Sequence, residues 1–153
     1  MSSKGNGLEK VLWSIAIPGF GQLLNKAYFK GMVLITLEIF INLKANLNTA
    51  IMFSFHGNIQ RSIEVTNFYW LMYYPCIYFF SIWDAYKDSV DRPTPYLFLP
   101  FVLAAYFSTV GVIYSKNFEV LDTPLGPVWL PLIAGGLGLS IGFQLMKILL
   151  RKV

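Results

Sequence analysis

The stretch Ile17 to Gly31 reads I-P-G-F-G-Q-L-L-N-K-A-Y-F-K-G. Pro18 withdraws a backbone N–H and Gly19 loosens the chain, so a helix arriving from Leu8 is expected to kink or break near Ile17. Behind the break come two amides, Gln22 and Asn25, and two lysines, Lys26 and Lys30. A second apolar run opens at Tyr28. Apolar run, break, polar turn, apolar run is the order of a membrane hairpin or re-entrant segment.

The rest of the chain agrees with a membrane setting. Of 153 residues, 56% are hydrophobic and only 13% charged. A soluble domain of this size carries about a quarter charged residues, enough to keep its surface wet. The apolar residues form continuous blocks, about 8–24, 28–47, 67–86, 96–114 and 127–150. Continuous blocks favour helices, whereas the strands of a membrane barrel alternate. The expected fold is an all-α integral membrane protein, a bundle of about five apolar helices in one membrane domain, 8–153. Four would be full spans and the first a short helix broken by Pro18-Gly19. Residues 1–7 are expected to be a disordered tail. The first run lacks an A-x-A-like cleavage site, so it is expected to be retained. Residues 46–66 are more polar and are expected to form a helical extension and loop at the interface. Pro75 should kink the third block from within and free the carbonyl near Leu71.

Basic residues flank the blocks and do not cluster on one element, which argues for membrane orientation and against nucleic acid as a partner. If the first block does not cross, Lys4, Lys10, Lys26, Lys30, Lys87, Arg92, Lys147, Arg151 and Lys152 share one side. Lys44, Arg61 and Lys116 fall on the other. If it does cross, Lys4 and Lys10 change sides and the bias weakens. The stronger bias places both termini in the cytoplasm and the protein in the plasma membrane.

Pro18-Gly19-Phe20-Gly21-Gln22, Asn25, the Tyr28-Phe29-Lys30-Gly31 run and a later aspartate in Ile82-Trp83-Asp84-Ala85 resemble the TM-two domain family and related bacterial multi-pass proteins. The resemblance covers less than a fifth of the chain. It departs in a long insertion before the aspartate and in two further apolar blocks. It implies a membrane module of two helices joined by a short polar turn, without established chemistry. It also implies that the first block crosses, against the charge count.

Three groups of residues stand out. Glu38 and Asn42 sit one helical turn apart inside the second block. A carboxyl there costs about 2.5–3.5 kcal/mol on insertion, so it must pair, protonate or serve a pathway. Its structural partners would be Asn42, Tyr74, Tyr78 or Gln22. Asp84 stands at the end of the third block, at the depth of the 25–30 turn. Paired with Lys30 or Lys26, and with Gln22 and Asn25 bonded nearby, it would lock the hairpin to that block. Ala134, Gly138 and Gly142 recur every four residues and would let another helix approach closely, either an internal neighbour or a second copy.

No catalytic constellation is visible. One histidine, His56, and one cysteine, Cys76, supply no metal or haem ligand set, and no cofactor is expected. The expected function is non-enzymatic: a small membrane scaffold or accessory subunit working in the lipid bilayer, beside another membrane protein or itself. The alternative is a transporter or channel subunit with Glu38 in its pathway.

Overall fold

The structure is a computed structural model and describes residues 7–152. The expected tail falls outside these residues except for Gly7, which already opens a helix. Helices dominate the described chain. They are α1 (Gly7–Ala16), α2 (Phe20–Leu24), α3 (Tyr28–Ala45), α4 (Leu47–Phe55), α5 (Ile59–Val65), α6 (Phe68–Leu71), α7 (Tyr74–Lys87), α8 (Phe98–Tyr114) and α9 (Gly126–Leu150). A two-residue ribbon, β1 (Glu119–Val120) paired antiparallel with β2 (Thr123–Pro124), closes the loop before α9. Its turn residues Leu121 and Asp122 both have positive φ, the geometry that suits the twist of a tight hairpin.

The first block is broken where Pro18 and Gly19 demand it, and the break is a reversal. Gly19 takes φ 104 and α2 folds back along α1. A methyl group at Gly21 would strike Ser14 Oγ, the Lys10 carbonyl and Ala85. In a continuous helix Lys10 and Gly21 would lie about 16 Å apart. α1 also runs antiparallel to α7. Gly7 lies beside Ser89, and the Tyr78 hydroxyl donates to the Ile15 carbonyl at 3.0 Å. Residues 7 and 25 therefore sit at the same end of α7. We call this the lock end and the opposite end of the bundle the far end.

α2 stops in a Schellman motif. Ala27 N donates to the Gln22 carbonyl at 2.9 Å and Lys26 N to the Leu23 carbonyl at 2.9 Å. Lys26 holds the left-handed position, φ 64, that glycine usually fills. α3 then descends to Ala45, two residues short of the expected limit. Asn46 turns left-handed, φ 57, and donates through Nδ2 to the Val65 carbonyl at 3.2 Å.

Residues 46–66 form a compact helical hairpin in place of the expected extension and loop. Ser62 Oγ donates to the Ala50 carbonyl and Ser54 Oγ to Ser62 Oγ, each at 2.8 Å. Gly57, φ 76, makes the turn and Asn58 Oδ1 caps α5 at Arg61 N. The third block is interrupted at Met72-Tyr73, upstream of the expected kink. Pro75 lies in the first turn of α7, where its missing N–H breaks no helical bond.

α8 and α9 pack along their whole shared length. By length and apolarity alone, one described helix, α9, is fit to cross a membrane, and α8 is a shorter apolar helix. α3 has the length but carries Lys30, Glu38 and Lys44. The third block is divided between α6 and α7. The small apolar core of Ala45, Leu47, Leu71 and Val112 lies at the far end.

Apolar side chains such as Leu34, Ile41, Leu71 and Val112 are buried, yet many of the largest ones are not. Large apolar side chains face outward: Phe29 is 83% exposed, Leu43 74% and Tyr106 63%. The side chains sealed inside include Gln22, Asp84, Ser14, Ser62, Ser81 and Ser115.

Candidate functional site

The expected lock assembles around Asp84, which is 2% exposed on the inner face of α7. Lys30 Nζ donates to Asp84 Oδ1 at 3.0 Å and to Asp88 Oδ2 at 2.8 Å. Lys87 Nζ stands 3.5 Å from Asp84 Oδ1 and 3.6 Å from Asp88 Oδ1. Two ammonium groups thus balance two carboxylates. On the inner side, Gln22 Nε2 donates to Asp84 Oδ2 at 3.2 Å and to the Ser81 carbonyl at 2.9 Å. Asn25 Nδ2 donates to the Ala85 carbonyl at 2.7 Å. Gly19 N donates to Ser81 Oγ at 3.1 Å. Apart from the Lys87 pairs, which lie within α7 and its C-cap, each contact joins α2, its caps or α3 to the last two turns of α7 and its C-cap. Buried Ser14 Oγ, Gln22 Oε1 and Asn25 Oδ1 have no hydrogen-bond partner among the described residues.

Lys26 does not join the lock. Its backbone closes the Schellman turn and its side chain is exposed, with no bond to Asp84. The members that sequence reasoning missed are Asp88, Lys87 and Ser81. Asp88 follows Asp84 by one turn and Ser81 precedes it by three residues, so the helical repeat alone puts all three on one face. The contribution of the Ser81 carbonyl comes from backbone and carries no sequence signal.

Glu38 is less well held. Asn42 Nδ2 lies 3.5 Å from Glu38 Oε1, the outer limit of a hydrogen bond. The same amide donates to Asn48 Oδ1 at 3.2 Å, and Asn42 Oδ1 accepts from Asn48 N at 3.3 Å. Asn42 therefore serves chiefly to tie α3 to the start of α4. Gln22 and Tyr78, two of the other expected partners, are bonded elsewhere.

The small-residue face of α9 packs against an internal neighbour, α8. A Cβ at Gly138 would meet the Leu103 carbonyl and Ala104, and one at Gly142 would meet the Pro100 backbone. The third member of the seam is Gly135, against Ser108, and not the partly buried Ala134. From α8, Gly111 meets the backbone at Pro131. The buried positions Val128, Pro131, Gly135, Gly138 and Gly142 step by three and four, the spacing of a helix seam that crosses at a shallow angle. Gly136 meets nothing within 4 Å.

His56 is exposed and its Nδ1 contacts the Met52 carbonyl at 2.7 Å. Cys76 is exposed and free. Among the described residues no three His, Cys, Asp or Glu side chains gather as a metal site. No known protein family, curated protein or solved structure matches the chain.

Proposed function

We propose that this is a multi-pass membrane protein in which α3, α6 with α7, α8 and α9 cross the bilayer. The α1–α2 hairpin enters from the lock end and returns to it. The observation that carries this reading is the broad outward apolar surface, with Phe29, Leu43 and Tyr106 among many large side chains that lipid would cover. Charge supports the orientation. Lys10, Lys26, Lys30, Lys87, Arg92, Lys147, Arg151 and Lys152 belong to the lock end, against Lys44, Arg61 and Lys116 at the far end. The lock end is then cytoplasmic. The likeness to TM-two modules fits a hairpin keyed to a later aspartate.

Its role is that of a scaffold or accessory subunit acting on another membrane protein or on a second copy. The lock supports this role, because the donors Gln22 Nε2, Asn25 Nδ2 and Lys30 Nζ, and the Asp84 carboxylate, are engaged with the protein's own helices. The weakly bonded Glu38 supports the second reading, a transporter or channel subunit with that carboxylate in its pathway.

Single cysteines at Glu9, Lys26 and Asn117 in a Cys76→Ser background test the topology. Impermeant maleimide should label the first two from the cytoplasm and the third from outside. Labelling of Glu9 and Asn117 from one side would sink the re-entrant hairpin. Release of the protein from membranes by carbonate would sink the membrane reading itself. Complementation of a deletion separates the two roles. Glu38→Gln that expresses normally and complements supports the scaffold, and a well-expressed, non-complementing Glu38→Gln supports the pathway.

A further inference from the structure

Between the two helical hairpins lies a cavity of about 310 Å³, partly open to the outside. Ile15 at the tip of the α1–α2 hairpin bounds it toward the lock end, and Ile51 and Phe55 of α4 bound it toward the far end. α7 and α9 form its walls and α8 lies behind. We infer that this slot takes the end of one fatty-acyl chain from a bilayer lipid, an inference that rests on the membrane reading above.

Three observations select that occupant. No charged residue lines the slot. Three hydroxyls line it, those of Tyr74, Tyr78 and Ser108; Ser108 already donates to the Pro131 carbonyl at 2.9 Å and Tyr78 to the Ile15 carbonyl at 3.0 Å. A water needs two to four polar partners, and beside these two committed hydroxyls the otherwise apolar lining offers it only the Tyr74 hydroxyl. The lip is apolar and exposed, with Ile15, Phe55 and Leu132 continuous with the outward apolar surface. The space suits a chain. A dry cavity of about 150 Å³ accepts benzene, so this one takes roughly twice that bulk. The stretches of α7 from Tyr74 to Phe79 and of α9 from Pro127 to Leu132 give the walls a length of about 8 Å along the helices. That is the direction in which lipid tails lie.

The test uses the full chain in phosphatidylcholine vesicles carrying a small fraction of phosphatidylcholine with a diazirine at the acyl terminus. After photolysis, labelled positions are mapped by mass spectrometry. Labels are expected at Ile51 or Val128 in excess over Val102, an outward residue of α8 that reports bulk lipid. Val128→Phe from the α9 wall and Ile51→Phe from the far-end boundary should each cut labelling in the slot about tenfold and leave Val102 unchanged. Labelling at Val102 with none in the slot overturns the acyl-chain proposal and leaves the membrane reading standing. A protein–protein adduct in place of a lipid adduct assigns the slot to a partner side chain and overturns the proposal. Absence of label everywhere, Val102 included, overturns the membrane reading first. The wild-type map decides even if both phenylalanine variants fail to fold.

Discussion

Two seams join helices in this protein, and they differ in kind. Where α2 and α3 meet α7, the contact is polar: Gln22, Asn25 and Lys30 converge on Asp84 and the carbonyls of Ser81 and Ala85. Where α8 meets α9, the closest approaches at Gly138, Gly142 and Gly111 are glycine against backbone, and the Ser108 to Pro131 hydrogen bond is a polar link between them. The first seam depends on matching donors to acceptors. The second depends on the absence of side-chain atoms. In an apolar surrounding both are sound designs, because oily side chains gain little from meeting one another when lipid is the alternative.

The strongest way to break the comparison is Asp84→Ala. It leaves Gln22 Nε2 short of a partner and takes a carboxylate from two lysines. Breaking a buried pair costs about 3–5 kcal/mol, and the half-exposed Lys30 draws the expectation to the lower end, about 3. Thermal unfolding in detergent, followed by tryptophan fluorescence, should show the loss, and Asp84→Glu should recover part of it. Gly142→Val attacks the other seam. Its side chain meets the Pro100 backbone, which cannot swing aside, so about 2–3 kcal/mol should be lost. Retention of full stability there would mean that α8 and α9 slide freely and that the seam is not steric.

Smaller changes sharpen the contrast. Gln22→Leu removes two donated bonds and should cost about 1.5 kcal/mol in the same unfolding assay. Gly136→Ala lies on the open side of α9 and should gain about 0.5–1 kcal/mol of helix stability, whereas Gly135→Ala, one residue away, should lose stability against Ser108. Glu38→Gln belongs to neither seam and should change stability by less than about 0.5 kcal/mol. A large loss there would show that Glu38 carries a bond stronger than its 3.5 Å contact with Asn42.

Much of the polar seam was legible before any coordinates. Polar residues are rare in apolar blocks, so Asp84 and the Gln22, Asn25, Lys30 group stand out, and matching depth pairs them. Lys26 reads in the sequence as a second cation for Asp84, but the turn takes its backbone at a positive φ and its side chain stays outside the seam. The glycine seam was legible only in part. Counting by four selects Ala134, Gly138 and Gly142, but two helices crossing at a shallow angle touch at alternating steps of three and four. That brings Gly135 to the contact and leaves Ala134 beside it. Extending the pattern from Val128 through Pro131 would have found it.

By itself the sequence determined that the chain is helical and blocky, that it breaks at Pro18-Gly19, and which few polar residues must find one another. These follow from local chemistry: a missing N–H, a glycine free to take φ 104, and charges too scarce to be left unpaired. Only the tertiary structure decided that the break is a reversal, bringing Gly21 against Ser14, Lys10 and Ala85. It alone decided that residues 46–66 fold as a hairpin and that the seam of α9 is internal. Each depends on which surface a helix meets after the chain has turned. A turn residue permits a range of directions, and the packing of distant segments selects one.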